Sequence, residues 1–218
     1  MTELKPILRG YSHAAAALVA VAGVIVLLWR SAHSLPAMVT TSIYGVFLVM
    51  LFAVSAIYHI GHWEPRVRRV FQSWDHANIF LFIAASYTPI AFIGLDGWWR
   101  LGVMASVWFI ALIGSATSWK SALFPHWVIA LLYVSTGWVA IVALPRLAHS
   151  IGIAAIGWMA VGGVIYTLGA VAYATRRPQL WPRVFGYHEV FHLAVIAASC
   201  VFYGVIANYV LPLYSRTS

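Results

Sequence analysis

The sequence predicts an all-α integral membrane protein, a bundle of seven transmembrane helices with its N-terminus in the cytoplasm and its C-terminus outside. Three observations carry that reading. Of 218 residues, 63% are hydrophobic and only 8% charged, whereas a soluble domain is about a quarter charged and at most half apolar. Seven stretches are long and apolar enough to cross a hydrocarbon core roughly 30 Å thick, which takes about 20 residues at ~1.5 Å each. The short segments between them carry Pro, Gly or Arg, and their basic residues are unevenly shared between the two sides. The same composition excludes disordered, collagen-like and coiled-coil classes. A single cysteine, Cys200, excludes an intramolecular disulfide and a four-cysteine zinc knuckle. The net charge of +8 comes from basic residues scattered between apolar runs, so it reads as membrane-flanking charge and not as a nucleic-acid surface.

The first span covers residues 12–28. Lys5 and Arg9 before it resemble the start of a signal peptide, but Arg30 follows at once and no small-x-small cleavage site precedes the next span, so the helix is expected to be retained. The second span covers 38–60 and the third 79–95, where Pro89 is expected to kink the helix and Ser86 or Thr88 to answer the freed carbonyl. The fourth, fifth and sixth cover 101–118, 127–144 and 151–174; Gly157, Gly162, Gly163 and Gly169 make the sixth a candidate for close helix contact. The seventh covers 189–210, with Cys200 read as packing. Period-two alternation is absent, which excludes strands. Trp29, Trp63, Trp98, Trp99, Trp119, Trp127 and Trp181 sit at span ends, as interfacial belts require. The connections leave no room for a soluble domain, so residues 1–218 read as one multi-pass cell-membrane domain.

Sidedness follows from the basic residues. Lys5, Arg9, Arg66, Arg68, Arg69, Lys120, Arg176, Arg177 and Arg183 fall on one side, nine in all; Arg30, Arg100, Arg146 and Arg216, four, fall on the other. The richer side is cytoplasmic.

Nine histidines in so apolar a chain demand an explanation. His188 and His192 stand four residues apart, on one helix face and one turn from each other. That spacing lets both rings converge on one ion at ~2.0–2.1 Å. Ser55 and His59 repeat the relation at the cytoplasmic end of the second span, so His59 can supply a third ligand. Asp75, expected to open the third span from the same side, can provide the anion that such a cation needs. Each residue also has a plainer reading. A histidine at a span end is commonly interfacial, Asp75 is a natural N-cap for the third helix, and Ser55 can bond its own backbone. The convergence of distant segments at one depth favours the metal site, since ionisable groups inside a membrane bundle are costly and face a partner. His62 ranks second to His59 as a ligand. His13, His76 and His126 share the cytoplasmic side, with His13 the first of them expected to line the site; His33 and His149 read as interfacial.

His188-Glu189-Val190-Phe191-His192 also fits the zincin pattern, with glutamate as general base, and Asp96 would complete an intramembrane metalloprotease. Asp96, however, falls at the outer end of the third span and cannot share that metal.

Ser55-x3-His59, Asp75, the run Ala85-Ser86-Tyr87-Thr88-Pro89, the late His188-x3-His192 and the opening Arg9-Gly10-Tyr11-Ser12-His13 together resemble the hemolysin III family. That is the bacterial branch of the progestin and adipoQ receptors, which include the adiponectin receptors. The resemblance covers essentially the whole chain. It implies a seven-helix bundle and an intramembrane zinc ion bound by His59, His188 and His192, with Ser55 and Asp75 beside the metal or holding its water. Alkaline ceramidases in the wider superfamily imply metal-dependent hydrolysis of lipid amides. Glu189 is not a fixed part of the pattern and is given no catalytic role. The receptors' additional N-terminal region has no counterpart in this sequence, so receptor-style signalling is not expected.

The expected function is therefore zinc-dependent hydrolysis of a lipid amide or ester near the cytoplasmic leaflet, with membrane lipids as the partners and no nucleic acid or soluble protein partner. Asp75 would orient the attacking water and accept its proton, and Ser55 would hydrogen-bond the oxyanion or the water. The alternative is a non-catalytic protein, stabilised by zinc, that senses lipid state or maintains the membrane. Membrane lysis is less favoured, because the chain has no long amphipathic soluble segment able to insert. An ion carrier is disfavoured by the scarcity of acidic residues within the spans.

Overall fold

The computed structural model describes residues 10–119, 124–181 and 184–214, without the side chains of His126 and Ala140. Lys5, Arg9, Lys120, Arg183 and Arg216 of the charge count lie outside the described residues, as does the side chain of His126. The chain folds into α1 (Tyr11–Ser31), α2 (Leu35–Ile60), α3 (Pro65–Gly94), α4 (Gly97–Ser118), α5 (His126–Trp138), a 3-10 segment (Val139–Ala143), α6 (Leu144–Ile151), α7 (Ile153–Thr175) and α8 (Tyr187–Val205). A π-helical turn (Ile206–Val210) and α9 (Leu211–Tyr214) continue α8 to the end of its span. No strand occurs among the described residues, and seven helical runs are long and apolar enough to span a membrane.

Apolar residues turn outward as well as inward, which identifies the solvent around the bundle. Leu18, Ile153 and Leu168 are exposed, and so are Trp29, Trp98 and Trp181 at span ends. Such surfaces are too apolar for water and suit hydrocarbon with interfacial belts. α3 is the central helix: 67% of its apolar window is buried, against 22–50% in the other six spans. It packs against α2, α4, α5, α6 and the π-helical turn. The core along it includes Leu48, Phe52, Phe80, Phe82, Ile90 and Val107.

The third helix starts much earlier than its apolar span. Its N-cap is Glu64, with Pro65 at the first helical position, where a proline's missing N–H costs nothing. The stretch 65–78, read as connection, is helical because Arg66, Arg68 and Arg69 are good helix formers whose charged heads stay exposed. Asp75 is therefore not an N-cap. It lies ten residues into α3, roughly 15 Å along the axis.

Further expectations are corrected. Residues 145–150, expected to connect the fifth and sixth spans, belong to α6, which Pro145 enters at its N-terminal turn after the 3-10 segment. Pro89 lies within α3 without ending it, and Ser86 and Thr88 donate to the carbonyls of Phe82 and Ala84, not to the carbonyl of Ala85 that the proline leaves free. Cys200 is exposed on the bundle surface and does not pack in the core. Of the four glycines on the sixth span, Gly162 and Gly169 serve close contact. A Cβ at Gly162 would stand 2.7 Å from the Phe202 ring, and one at Gly169 2.7 Å from Ala194 Cβ. Gly157 meets nothing.

Candidate metal centre

α2 ends, and α1, α3 and α8 begin, at one end of the bundle, so those termini bring the polar side chains together. His59 occupies the last turn of α2 with Ser55 one turn before it, and both are buried. α8 begins at Tyr187, so His188 and His192 lie on its first two turns. Glu189 is the third residue of that helix. Its Oε2 accepts the Gly186 N–H at 2.9 Å, so the glutamate of the zincin-like letters is turned back to cap the helix and is buried doing so.

One ring nitrogen from each of His59, His188 and His192 falls within 4.8 Å of the others. The Nε2 atoms of His59 and His188 are 3.2 Å apart. Two nitrogens on a tetrahedral ion at ~2.0–2.1 Å stand about 3.3 Å from each other, so this pair already has the spacing of joint ligands. The rings approach at angles, with centroids 4.6–5.0 Å apart, as rings aimed at a common point must. Three imidazoles are a donor set for zinc, copper, iron or nickel, and not for magnesium or calcium. The trio fits a metal ion.

Asp75 Oδ2 lies 3.7 Å from His59 Nε2, and Ser55 lines the same cavity as Asp75. All five expected site residues except His59 line one cavity of about 20 Å³, together with His13, His76 and Tyr173. Tyr133 also lines this cavity, and its hydroxyl donates to the His76 carbonyl at 3.3 Å. His62 is exposed and stands outside the trio, so it does not compete with His59. His33 and His149 are exposed, as expected of interfacial residues. Asp96 is the N-cap of α4, about 28 Å along α3 from Asp75 by helix rise, so the metalloprotease pairing is sterically excluded.

Sequence reasoning missed a second cavity, of about 80 Å³, between α2, α3, α5, α7 and α8. Its lining is almost wholly apolar and includes Phe82, Ile90, Val134 and Phe202. Leu51, Ile79, Tyr133, Phe191 and Val195 line both cavities, so an apolar cavity adjoins the histidines. Gly137 and Gly163 line it without side chains, and Trp138 Nε1 donates to Thr167 Oγ1 across α5 and α7 at 3.3 Å.

Seven apolar helices and a histidine trio, buried at His59 and His192 and half-buried at His188, define a polytopic membrane protein with a candidate metal centre. The profile of a family described as Haemolysin-III related matches residues 1–203, and this chain belongs to that family. It is a multi-pass cell-membrane protein. Hemolysin-3 of Bacillus cereus is 28% identical over 210 residues, covering 94% of this chain and 92% of that protein. The human monocyte to macrophage differentiation factor is 31% identical over 208 residues, covering 91% and 82%. The adiponectin receptor protein of Drosophila melanogaster is 26% identical over 188 residues, covering 76% of this chain and 42% of its own.

Proposed function

We propose that this protein is a zinc-dependent hydrolase of lipid amides or esters, acting at the cytoplasmic end of the bundle with His59, His188 and His192 as the metal ligands. The observation that carries the proposal is the shared wall between the histidine cavity and the apolar cavity. A carbonyl group bound beside the histidines would have its acyl chain in the larger space. Zinc, when bound, lowers the pKa of its water to about 7 and polarises a carbonyl. The chain's own residues do the rest. The Asp75 carboxylate orients the attacking water and takes its proton. The Ser55 hydroxyl, on the same cavity, donates to the water or to the developing oxyanion. Water adds to the carbonyl carbon, the bond to the leaving nitrogen or oxygen breaks, and the proton held on Asp75 passes to the leaving atom. The products are a fatty acid and an amine or alcohol.

A non-catalytic reading is favoured by one distance. At 3.7 Å from His59 Nε2, Asp75 is near enough to the trio for its carboxylate to fill a fourth ligand position, which would close the site in the manner of structural zinc. Turnover separates the two. Purified protein loaded with one equivalent of zinc is incubated with ceramide-like lipids in mixed micelles. The hydrolase is expected to release fatty acid well above the rate of a His192→Ala variant. Equal release by the two proteins, with zinc bound to the unaltered one, would leave the structural reading.

A further inference from the structure

The opening Gly10-Tyr11-Ser12-His13 has no task in the mechanism above, yet it touches two of the three proposed ligands. His13 is buried, with 3% exposure. Its ring stacks on that of His192, with centroids 3.9 Å apart and planes 9° from parallel. Phe52 also meets it in a T-shaped contact, with ring centroids 5.2 Å apart. His13 Nε2 is 3.4 Å from the main-chain oxygen of His192; a carbonyl only accepts, so the Nε2–H donates. Gly10, three residues earlier, has φ +94°, and a Cβ there would stand 2.8 Å from His59 Cβ and 3.3 Å from the Ile60 nitrogen. Only glycine adopts that backbone at no steric cost while letting α1 begin against the end of α2.

We infer that the first turn of α1 is a template for the metal centre, and that His13 is a positioning residue which fixes the ring plane of His192 by stacking without being a ligand. The inference rests on the reading of His59, His188 and His192 as metal ligands. The geometry supports it in three ways. A ligand ring rotates about its Cβ–Cγ bond, and a parallel ring at 3.9 Å on one face removes that freedom before the metal arrives. The stacked ring is itself held, because Phe52 packs against it and its Nε2 is tied to the main chain of the residue it supports. The trio that converges on a common point does not include His13, so the role is orientation. Partners that orient metal ligands in this way typically change metal affinity about 10–100-fold when removed.

The test measures metal binding by the full chain in detergent, with zinc competed against a chelator and with cobalt(II) as a spectroscopic probe. His13→Ala removes the stacked face. His13→Phe keeps the face and loses the nitrogens. Leu27→Ala is the control: Leu27 is as buried, on the same helix, and about 21 Å further along it. His13→Ala is expected to weaken zinc binding on the order of tenfold or more and to alter the visible bands of bound cobalt. His13→Phe is expected to keep both close to those of the unaltered protein. Leu27→Ala is expected to lower the melting temperature while leaving affinity and cobalt bands unchanged. Unchanged affinity and spectrum in His13→Ala would overturn the inference and leave the ligand assignment intact. So would an equal loss in Leu27→Ala, since the effect would then be general softening of α1. Loss in His13→Phe equal to that in His13→Ala would overturn the stacking role in favour of the nitrogens. If the unaltered protein binds no more zinc or cobalt than His59→Ala, both the ligand assignment and this inference fall.

Discussion

Asp75 is the residue on which chemistry and structure divide. Its carboxylate stands 3.7 Å from a proposed ligand nitrogen on the cavity that Ser55 also lines, a position that serves a general base and a fourth ligand equally well. Asp75→Asn keeps the size of the side chain and removes its basicity. As general base, Asp75 contributes about 10²–10⁴-fold, so the variant should lose hydrolysis by that order while zinc per protein stays at one. Parallel measurement of fatty-acid release and metal content checks this; loss of zinc with the activity would make Asp75 a ligand instead. The residues of this site were legible in the sequence because chemistry writes them sparsely: five acidic groups and nine histidines in 218 positions leave few candidates to converge. The local role of Asp75 was not legible. Hydropathy reports where hydrocarbon begins, not where a helix begins, and the arginine-rich start of α3 falls outside the hydrocarbon while remaining helical. Glu189 shows the converse. Its letters fit a catalytic motif, and only the hydrogen bond to Gly186 assigns it to the helix cap.

At the scale of elements, the same blindness applies to small residues. The sequence marks four glycines on the sixth span as one stripe, but a stripe of glycines does not say which neighbour each one faces. Gly162 and Gly169 let α8 approach α7, Gly163 borders the apolar cavity, and Gly157 faces open space. The approach of α8 bears on function, because α8 carries two of the three histidines. A side chain at Gly162 must displace Phe202, whose ring would lie 2.7 Å from the new Cβ. Overpacking of this kind costs about 1–3 kcal/mol. Gly162→Leu is accordingly expected to lower the melting temperature in detergent and to loosen metal binding through α8. Gly157→Leu, where nothing lies within 4 Å, is expected to leave both unchanged, or to raise stability slightly by removing a helical glycine. Thermal unfolding of the two variants with zinc present compares them directly. Equal behaviour would mean that the α7–α8 interface yields to Leu without cost.

For the whole molecule, the spans were legible because the bilayer imposes one length on all of them, while orientation depends on charges that no contact records. All the termini that build the histidine site lie at the end where Arg66, Arg68, Arg69, Arg176 and Arg177 emerge; Arg100 and Arg146 emerge at the other, stacked over Phe92 and Trp99. With nine basic residues against four, the positive-inside rule expects the histidine end in the cytoplasm. The consequence is functional: substrate would be drawn from the inner leaflet, products would leave there, and metal would be supplied from the cytosolic pool. A cysteine-labelling experiment decides it. Cys200→Ala removes the native thiol, and single cysteines are then placed by Arg66→Cys at the histidine end or His149→Cys at the other, both exposed positions. Removing Arg66 still leaves eight basic residues against four. On intact cells a membrane-impermeant maleimide is expected to label the His149→Cys protein and spare the Arg66→Cys protein until the membrane is opened. The opposite pattern would put the metal centre on the outer face, and the proposed chemistry would then have to act on lipids of the outer leaflet with metal taken from outside the cell.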